Sequence, residues 1–309
     1  MALFRFLAWR TAGALVLVFA VASGAMLLAQ LAPGDFASST IEKNPEFIAA
    51  ERHRLGLDRP IGEQYLRWAG RMLTLDFGES LYYQQPVAAL VLGKAANTAV
   101  LAATALVVAT LLGIPCGIVT GSRRGLASWL LRAGSLVLLS VPPLISSLVL
   151  LTIAAATGWL PVSGMEGPRS LVVPTLALAL PVAAMLERIQ SQAIAEALRR
   201  PSALAARARG VPAFQVVWRH AWRQSLAPIF GIYGVIVGSL FSGSFVVEYV
   251  TSWPGLAELM RQALLVRDTE LVAGCAAAGA AFLAAGVLAA DIAHALSDPR
   301  VTFDGASHA

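Results

Sequence analysis

Six long stretches of the sequence contain no charged residue, and they constrain the fold more than any other feature. They cover residues 11–34, 95–122, 133–165, 170–186, 224–247 and 271–290. A helix that crosses the hydrocarbon core of a bilayer needs about 20 mainly apolar residues, so each stretch is long enough to span a membrane. With 57% hydrophobic and 13% charged residues, the chain is also too apolar for an ordinary soluble domain. The sequence therefore predicts an all-α membrane protein with six transmembrane helices.

The third stretch is longer than one span but shorter than two spans joined by a turn. Two helices and a turn would need about 40 residues, whereas this stretch has 33. We therefore expect one long helix that contains Pro142 and Pro143, followed by a loop from Gly158 to Met165. A proline inside a span is tolerated where neighbouring helices satisfy the carbonyl that loses its partner.

The basic residues predict which side of the membrane each segment occupies. Six spans place both termini on one side, where 13 arginines lie, whereas the short loops opposite carry only Arg169, Arg261 and Arg267. Because cytoplasmic loops are enriched in Lys and Arg, both termini are predicted to be cytoplasmic. A seventh span would place the arginine-rich segment 187–223 outside, against this rule. The first stretch is long for the apolar part of a signal peptide, so we expect it to be a retained helix.

Residues 35–94 form the one sizeable polar segment outside the predicted membrane. The segment mixes eight acidic and seven basic residues with several aromatic ones. Asn44 as a cap and Pro45 at the first position favour a helix to Arg54, and a second helix is expected from Ile61 to Leu75. This composition predicts a small folded cap instead of a disordered tether.

The cytoplasmic segment 187–223 is predicted to contain two short helices joined at a glycine. Pro201 suits the first position of a helix that runs to about Arg209, and Gly210 then ends it. Val211 and Pro212 would begin the second helix, which is expected to continue through Trp222. Apolar side chains within this basic stretch fit either a helix that lies on anionic lipid or a docking surface for a cytoplasmic partner. These physical arguments alone support the two interpretations equally.

One motif in this segment is specific. Residues 205–210, Ala-Ala-Arg-Ala-Arg-Gly, resemble the coupling loop of ATP-binding-cassette (ABC) importer permeases, whose family motif reads EAA…G. The likeness is strongest to the dipeptide, oligopeptide and nickel branch, where the run is typically T-A-R-A-K-G, and to its B-type subunit. Residues 218–228 are similar to that branch's W-R-H-A-L-R-N-A-L-x-P. The chain departs from the branch at three positions. Ser191, Ser202 and Leu204 stand where the branch usually has Arg, Tyr and Arg. Leu204 also occupies the position of the glutamate in the family motif.

Further short matches follow in family order along most of the chain. They are Pro33-Gly34-Asp35, residues 55–60, Gln64-Tyr65, residues 76–80, residues 158–164, Glu248 with residues 252–256, Arg267-Asp268 and Asp298-Pro299-Arg300. The resemblance implies the type I ABC importer permease fold with an extracytoplasmic insert between helices 1 and 2. It divides the chain into residues 1–32 (tail and helix 1), 33–94 (cap), 95–296 (permease core, with coupling helices at 201–218) and 297–309 (cytoplasmic tail).

The resemblance also implies partners and site residues. The partners are a second homologous permease subunit, two cytoplasmic ABC ATPases and an extracytoplasmic substrate-binding protein, all at the inner membrane of a bacterial cell. The residues expected to contact an ATPase are Ala205, Ala206, Arg207, Ala208, Arg209, Gly210, Val211, Phe214 and Val217. Gly210 is expected to let the two coupling helices approach and turn without a Cβ clash. The residues expected near the translocation path are Ser140, Pro142, Pro143, Ser242, Ser244 and Glu248.

No cofactor, catalytic residue or metal site is expected in this chain. It lacks a phosphate-binding G-x-x-x-x-G-K-[ST] loop, so ATP and Mg would be bound by partner subunits. The sequence shows no pairing of a nucleophile with a base, which argues against an intramembrane enzyme. It also shows no inverted repeat of the kind that would favour a secondary transporter.

Cys116 and Cys275 lie in apolar runs and are expected to be small buried hydrophobes. Nucleic-acid binding is not expected, and peptides are the expected cargo, with nickel chelates, glutathione and oligosaccharides left open.

Overall fold

The computed structural model describes residues 2–39, 45–162, 164–165 and 167–297, and these residues are helical apart from connecting turns and one isolated bridge between Glu79 and Pro86. Asn44, the expected cap, lies outside the described residues. The helices in chain order are α1 (Ala2–Leu31), α2 (Phe36–Ser39), α3 (Pro45–Leu55), α4 (Ile61–Leu73), α5 (Val87–Ser122), α6 (Leu126–Ser140), α7 (Pro143–Thr157), α8 (Val172–Ala197), α9 (Pro201–Ala208), α10 (Ala213–Val216), α11 (Trp222–Thr251), α12 (Leu256–Val266) and α13 (Thr269–Ser297).

Five helical segments of the described chain are long and apolar enough to cross a membrane. They are Ala8–Leu31, Val87–Ser122, Pro168–Ala197, Ala213–Thr251 and Thr269–Ala289. The pair α6 and α7 passes the same test only when the two helices are taken together as one broken span. The predicted six helices are therefore found when this pair is counted as the third span. Because α5 begins at Val87, the end of the segment 33–94 is already helical.

The prediction of one long helix through Pro142 and Pro143 was wrong. α6 ends at Ser140, α7 begins at Pro143, and the two helices are bent by 107° at this break. The residue before a proline is pushed out of the helical region by the proline ring, and here two prolines follow each other. Val141 and Pro142 are accordingly both extended, with ψ of 115° and 151°. The loop after α7 begins as predicted, at Gly158 with φ 68°.

One compact unit of the chain consists mainly of Val100–Trp253, and α8 lies at its centre. About two-thirds of the α8 span (67%) is buried within the chain, far more than in the other spans. Its apolar side chains pack with those of α5 and α11 in one core. Fully buried members of that core include Leu101, Leu186, Ile229, Ile236 and Leu240. α8 is therefore the helix against which the others in this unit are organised.

The second compact unit contains Leu7–Ala99 and Pro254–Ala284. Trp68 and Met72 of α4 are buried against Met26 of α1 and Ala273 of α13. α4 ends two residues earlier than predicted, because Leu75 takes a left-handed conformation with φ 60° and closes the helix. The polar segment after α1 is thus folded and anchored by a tryptophan-centred core.

Candidate coupling surface and translocation residues

α9 begins and ends where the sequence predicts. Pro201 occupies its first turn, and Gly210 lies just beyond its end with φ +78°. The N–H of Val211 donates to the carbonyl of Ala206 (3.1 Å) and the N–H of Gly210 donates to that of Arg207 (2.9 Å), which is a Schellman cap. A Cβ built on Gly210 would meet no atom within 4 Å. The expected close approach of two helices at this glycine was therefore wrong, whereas the expected turn is found, and its left-handed φ is what requires glycine.

The second predicted coupling helix does not end at Trp222. α10 passes into one π-helical stretch, Val217–Ala221, which leads directly into α11. The whole segment Ala213–Thr251 therefore forms one continuous helix. A π-helical stretch accommodates an extra residue within a helix, and such stretches are frequent at functional sites. The surface around α10 is thus rigidly continuous with a membrane span through a single irregular turn.

One face of the α9–α10 segment is buried inside the chain. Its small and branched side chains pack with Ile118 of α5 and with Ile194 and Leu198 of α8. The buried members on the segment are Ala203, Ala206, Val216, Val217 and Ala221. This inner face fixes the segment to the ends of two long helices, so that it behaves as part of the helical core and not as a loose loop.

The opposite face is exposed although it carries large apolar side chains. Leu204, Phe214 and Trp218 are 50%, 68% and 43% exposed. The rings of Phe214 and Trp218 lie 6.0 Å apart, and Trp218 lies 5.7 Å from Trp222. We call Leu204, Phe214 and Trp218 the coupling surface. Leu204 and Trp218 were recognised in the sequence as apolar residues of this stretch, but they were not among the predicted contact residues.

The nine predicted coupling residues divide between these two faces. Ala206 and Val217 are buried and Val211 is half-buried, so these three support the segment from within. The exposed residues are Ala205, Arg207, Ala208, Arg209, Gly210 and Phe214. Arg207 and Arg209, the two arginines of the set, are thus exposed on the same segment as the apolar coupling surface.

The six predicted translocation residues are only partly brought together. Pro143 lies against α11, because a Cβ built on Gly243 would be 3.6 Å from the Pro143 ring. Gly243 sits between Ser242, which is exposed, and Ser244, which is buried. Ser140 and Pro142 are exposed as well. Glu248 is fully buried within the chain, together with Ser244.

The sequence-based predictions did not include a stripe of glycines on α5 that lets this helix pack closely against α8. Cβ atoms built on Gly113, Gly117 and Gly121 would lie 2.5–2.6 Å from atoms of α8. A spacing of four residues places small side chains on one face of a helix, which lets helix backbones approach closely in a membrane. The period of four within the charge-free stretch 95–122 was the signal that could have revealed it.

Polar groups accompany this close helix contact. The hydroxyl of Thr120 donates to the buried carboxylate of Glu187, and Arg132 donates to the carbonyl of Thr120. Gln190, also buried, donates to the hydroxyl of Ser225 at 2.9 Å. Polar side chains inside a membrane protein are costly unless paired, so these bonds tie α5, α6, α8 and α11 together.

In the second unit, two of the short family motifs, residues 76–80 and Arg267-Asp268, meet. The buried carboxylate of Asp268 accepts hydrogen bonds from the Ser80 hydroxyl (2.6 Å), the Tyr82 N–H (3.2 Å) and the Leu271 N–H (3.1 Å). Arg71 forms an ion pair with Glu270 beside Gly78. These contacts fasten the turn 76–86 to the start of α13, so the motifs there have a structural purpose.

Among the described residues, no group of three or more His, Cys, Asp or Glu side chains is placed to hold a metal ion. Cys116 is half-buried and Cys275 is buried, and both are free thiols.

Comparison with known proteins gives the family. The profile described as "Binding-protein-dependent transport system inner membrane component" matches residues 113–303, and its N-terminal counterpart matches residues 3–104. A putative peptide transport system permease protein of Brucella suis is 33% identical over 310 residues, covering 96% of this chain and 98% of that protein. The oligopeptide transport system permease protein AppB of Bacillus subtilis is 28% identical, covering 95% and 98% of the two chains. The dipeptide transport system permease protein DppB of Lactococcus lactis is 29% identical, and the match covers 93% of this chain and 95% of that protein. The chain therefore belongs to the family of binding-protein-dependent transport system inner membrane components, as a multi-pass membrane protein and the permease component of an ABC importer.

Proposed function

We propose that this chain forms half of the translocation path of a peptide importer and is driven by cytoplasmic ATPases through the coupling surface. The names of the relatives support peptides as the cargo. The proposed partners are a second homologous permease, two ABC ATPase subunits and an extracytoplasmic binding protein that delivers the peptide. Catalysis of ATP hydrolysis belongs to the ATPases, and the lone chain is expected to have no enzymatic activity.

The observation that carries this proposal is the exposure of Leu204, Phe214 and Trp218 opposite a fully packed inner face. Clustered aromatic side chains flanked by arginines are typical of residues that dominate protein interfaces. Because the inner face is fixed to α5 and α8, a force on the coupling surface is not absorbed by a loop. It passes through the π-helical stretch into α11 and tilts a membrane span, which is what alternating access requires.

The orientation follows from the proposed partners and from the positive charges. We place both termini and the α9–α10 segment in the cytoplasm, with residues 33–94 as a cap on the outside of a bacterial inner membrane. Residues 95–296 then form the permease core, and residues 297–309 form a cytoplasmic tail. Exposed Ser140, Pro142 and Ser242 suit a surface that meets the second permease or the path between the two subunits, whereas Ser244 and Glu248 support it from inside the chain.

Phe214→Asp tests the coupling surface, and Gln215→Asp is its matched control. Both residues are exposed on α10, so both variants place one new carboxylate on the same turn. Loss of a central aromatic contact typically costs about 2 kcal/mol or more in binding, which is roughly a 30-fold loss of affinity. We expect Phe214→Asp to abolish co-purification of the ATPases and peptide uptake, while Gln215→Asp retains both.

The same two variants distinguish a surface that binds the ATPases from one that lies on lipid. If the surface lies on anionic lipid, peptide uptake by the complex reconstituted in bilayers should depend on phosphatidylglycerol in the wild type and not in Phe214→Asp, while the ATPases still co-purify. That result, or unchanged ATPase binding and uptake in Phe214→Asp, contradicts the proposed coupling role.

A further inference from the structure

Two adjoining clefts in the second unit are lined by arginines. Their volumes are about 290 and 250 Å³, and they share the side chains of Gln30, Leu57, Arg59, Gln64 and Thr269. Five arginines and two carboxylates line them, and a third carboxylate, Glu63, pairs with two of these arginines, Arg59 and Arg67. The arginines are Arg52, Arg59, Arg67, Arg71 and Arg267, and the carboxylates are Asp35 and Glu270. We call the joined space the arginine cleft, and its charge favours an anionic occupant.

Three buried polar atoms at the arginine cleft have no hydrogen-bond partner among the described residues. They are Nη1 of Arg267, Nε of Arg71 and Oε1 of Gln30. Most buried polar groups in folded proteins are paired, because an unpaired one loses its hydration without compensation. Two of the three atoms are cationic donors and one is a neutral acceptor. This set suits a ligand that brings both an anion and an N–H group.

The carboxylates of the cleft are already engaged, so they do not neutralise Arg267. Asp35 accepts from Nε of Arg52 at 2.6 Å and from the Ser38 N–H at 2.9 Å. Partial burial opposes its ionisation, but these hydrogen bonds hold the pKa of Asp35 below its usual value. Glu270 is paired with Arg71. The guanidinium of Arg267 therefore faces the cleft with donor capacity to spare.

The chain also holds Arg267 in a defined place. Arg267 closes α12 in a left-handed backbone conformation with φ 60°. Gly34, with φ +91°, lies directly beneath the guanidinium, where a Cβ would overlap with it. A non-glycine residue with positive φ is strained, so the chain tolerates strain at the residue that reaches into the cleft.

We propose that the arginine cleft binds the free C-terminal carboxylate of a short peptide. Arg267 supplies the main hydrogen bonds to the carboxylate, since a guanidinium matches a carboxylate with two parallel bonds. Nε of Arg71 adds a second donor, and Oε1 of Gln30 accepts from a peptide N–H. The volumes lie near the lower end for small-molecule sites, which suits the end of a short peptide. This inference rests on the proposed peptide cargo.

The test measures binding of trialanine to the assembled permease–ATPase complex without its binding protein, by calorimetry in detergent. Trialanine amide, which lacks the carboxylate, and inorganic phosphate are the comparison ligands. We expect trialanine to bind at least tenfold more tightly than its amide. Arg267→Gln should weaken trialanine binding about tenfold. Arg59→Gln, which removes one positive charge from both clefts, should weaken it less, because Arg59 also pairs with Glu63. Arg261→Gln, an arginine of the same unit that pairs with Glu258 outside the cleft, should leave it unchanged.

Thermal unfolding of each complex without ligand verifies that the variants fold, and Arg59→Gln remains informative if Arg267→Gln does not. Equal binding of trialanine and its amide, or unchanged binding in a folded Arg267→Gln or Arg59→Gln complex, overturns the inference. Phosphate binding as tight as that of trialanine also overturns it, because the site would then recognise phosphate or a lipid headgroup. Uptake of trialanine by cells with the wild-type importer is measured separately. Its absence would refute the proposed function, whereas uptake without a carboxylate requirement in the cleft refutes only this inference.

Discussion

Adding one methyl group at Gly117 should loosen the contact between α5 and α8. A Cβ at this position would lie 2.6 Å from Cβ of Gln190 and 2.7 Å from the carbonyl oxygen of Glu187. Both neighbours are close to or part of the α8 backbone, so neither can rotate away. Non-bonded carbon atoms prefer separations of about 3.5–4.0 Å, so the two helices must move apart by about 1 Å at this point.

The expected magnitude follows from two opposing effects. Forcing an extra methyl group into a packed contact typically costs about 1–3 kcal/mol. Alanine is favoured over glycine inside a helix by about 0.5–1 kcal/mol. Gly117→Ala should therefore lower the free energy of unfolding by about 1–2 kcal/mol. Because Ile194 and Leu198 of α8 support the coupling segment, peptide uptake should fall as well.

Gly93→Ala is the matched control in the same helix. A Cβ at Gly93 would meet no atom within 4 Å, so only the helix preference applies and a stabilisation of about 0.5–1 kcal/mol is expected. The free energy of unfolding is measured for the purified chain by titration with SDS. If Gly117→Ala is as stable as Gly93→Ala, the glycine stripe is not needed for close packing of α5 against α8. The packing argument would then be refuted.

Three further changes have definite expected outcomes in the same unfolding assay. Asp268→Ala should lower the free energy of unfolding by about 2–4 kcal/mol, because it removes the acceptor for the Ser80 hydroxyl and the Tyr82 N–H and the N-terminal cap of α13. A decrease of less than about 1 kcal/mol would contradict this. Ser252→Gly should stabilise the chain by up to about 1 kcal/mol, because Ser252 has φ 52°; destabilisation would show that the hydroxyl matters more. Gly210→Val should lower the free energy of unfolding by about 1–2 kcal/mol. Gly210→Asn should lower it clearly less, since asparagine tolerates the left-handed conformation. Equal losses for the two Gly210 variants would point to a steric requirement instead.

Much of the helical arrangement was predictable because it depends on local composition. Charge-free length sets the number of spans, and the positions of Pro201 and Gly210 set both ends of α9. The segment 35–94 was expected to fold, and Trp68 and Met72 provide the core that makes this so. These features follow from the bilayer and from the backbone preferences of proline and glycine, which act within a few residues.

The features that could not be predicted depend on contacts distant in sequence or on the joint effect of neighbours. Each of Pro142 and Pro143 is tolerable in a helix, but together they make two successive residues extended and break it. The continuity of α10 with α11 depends on one π-helical stretch, for which no pattern was available. The division of the coupling residues into inner and outer faces required knowing that Ile118 and Ile194 meet beneath them.

The glycine stripe and the coupling surface are two parts of one mechanical arrangement. Gly121, the last glycine of the stripe, approaches α8 at Ser191 and Ile194, and Ile194 is also a core contact of the α9–α10 segment. The close packing of α5 on α8 therefore ends at a residue that also supports the α9–α10 segment from within. In the proposed mechanism, a push on Phe214 would meet this closely packed contact on its inner side and would reach α11 through the π-helical stretch Val217–Ala221. Under that proposal, motion would be directed into α11, the helix that contacts Pro143 at the break between α6 and α7.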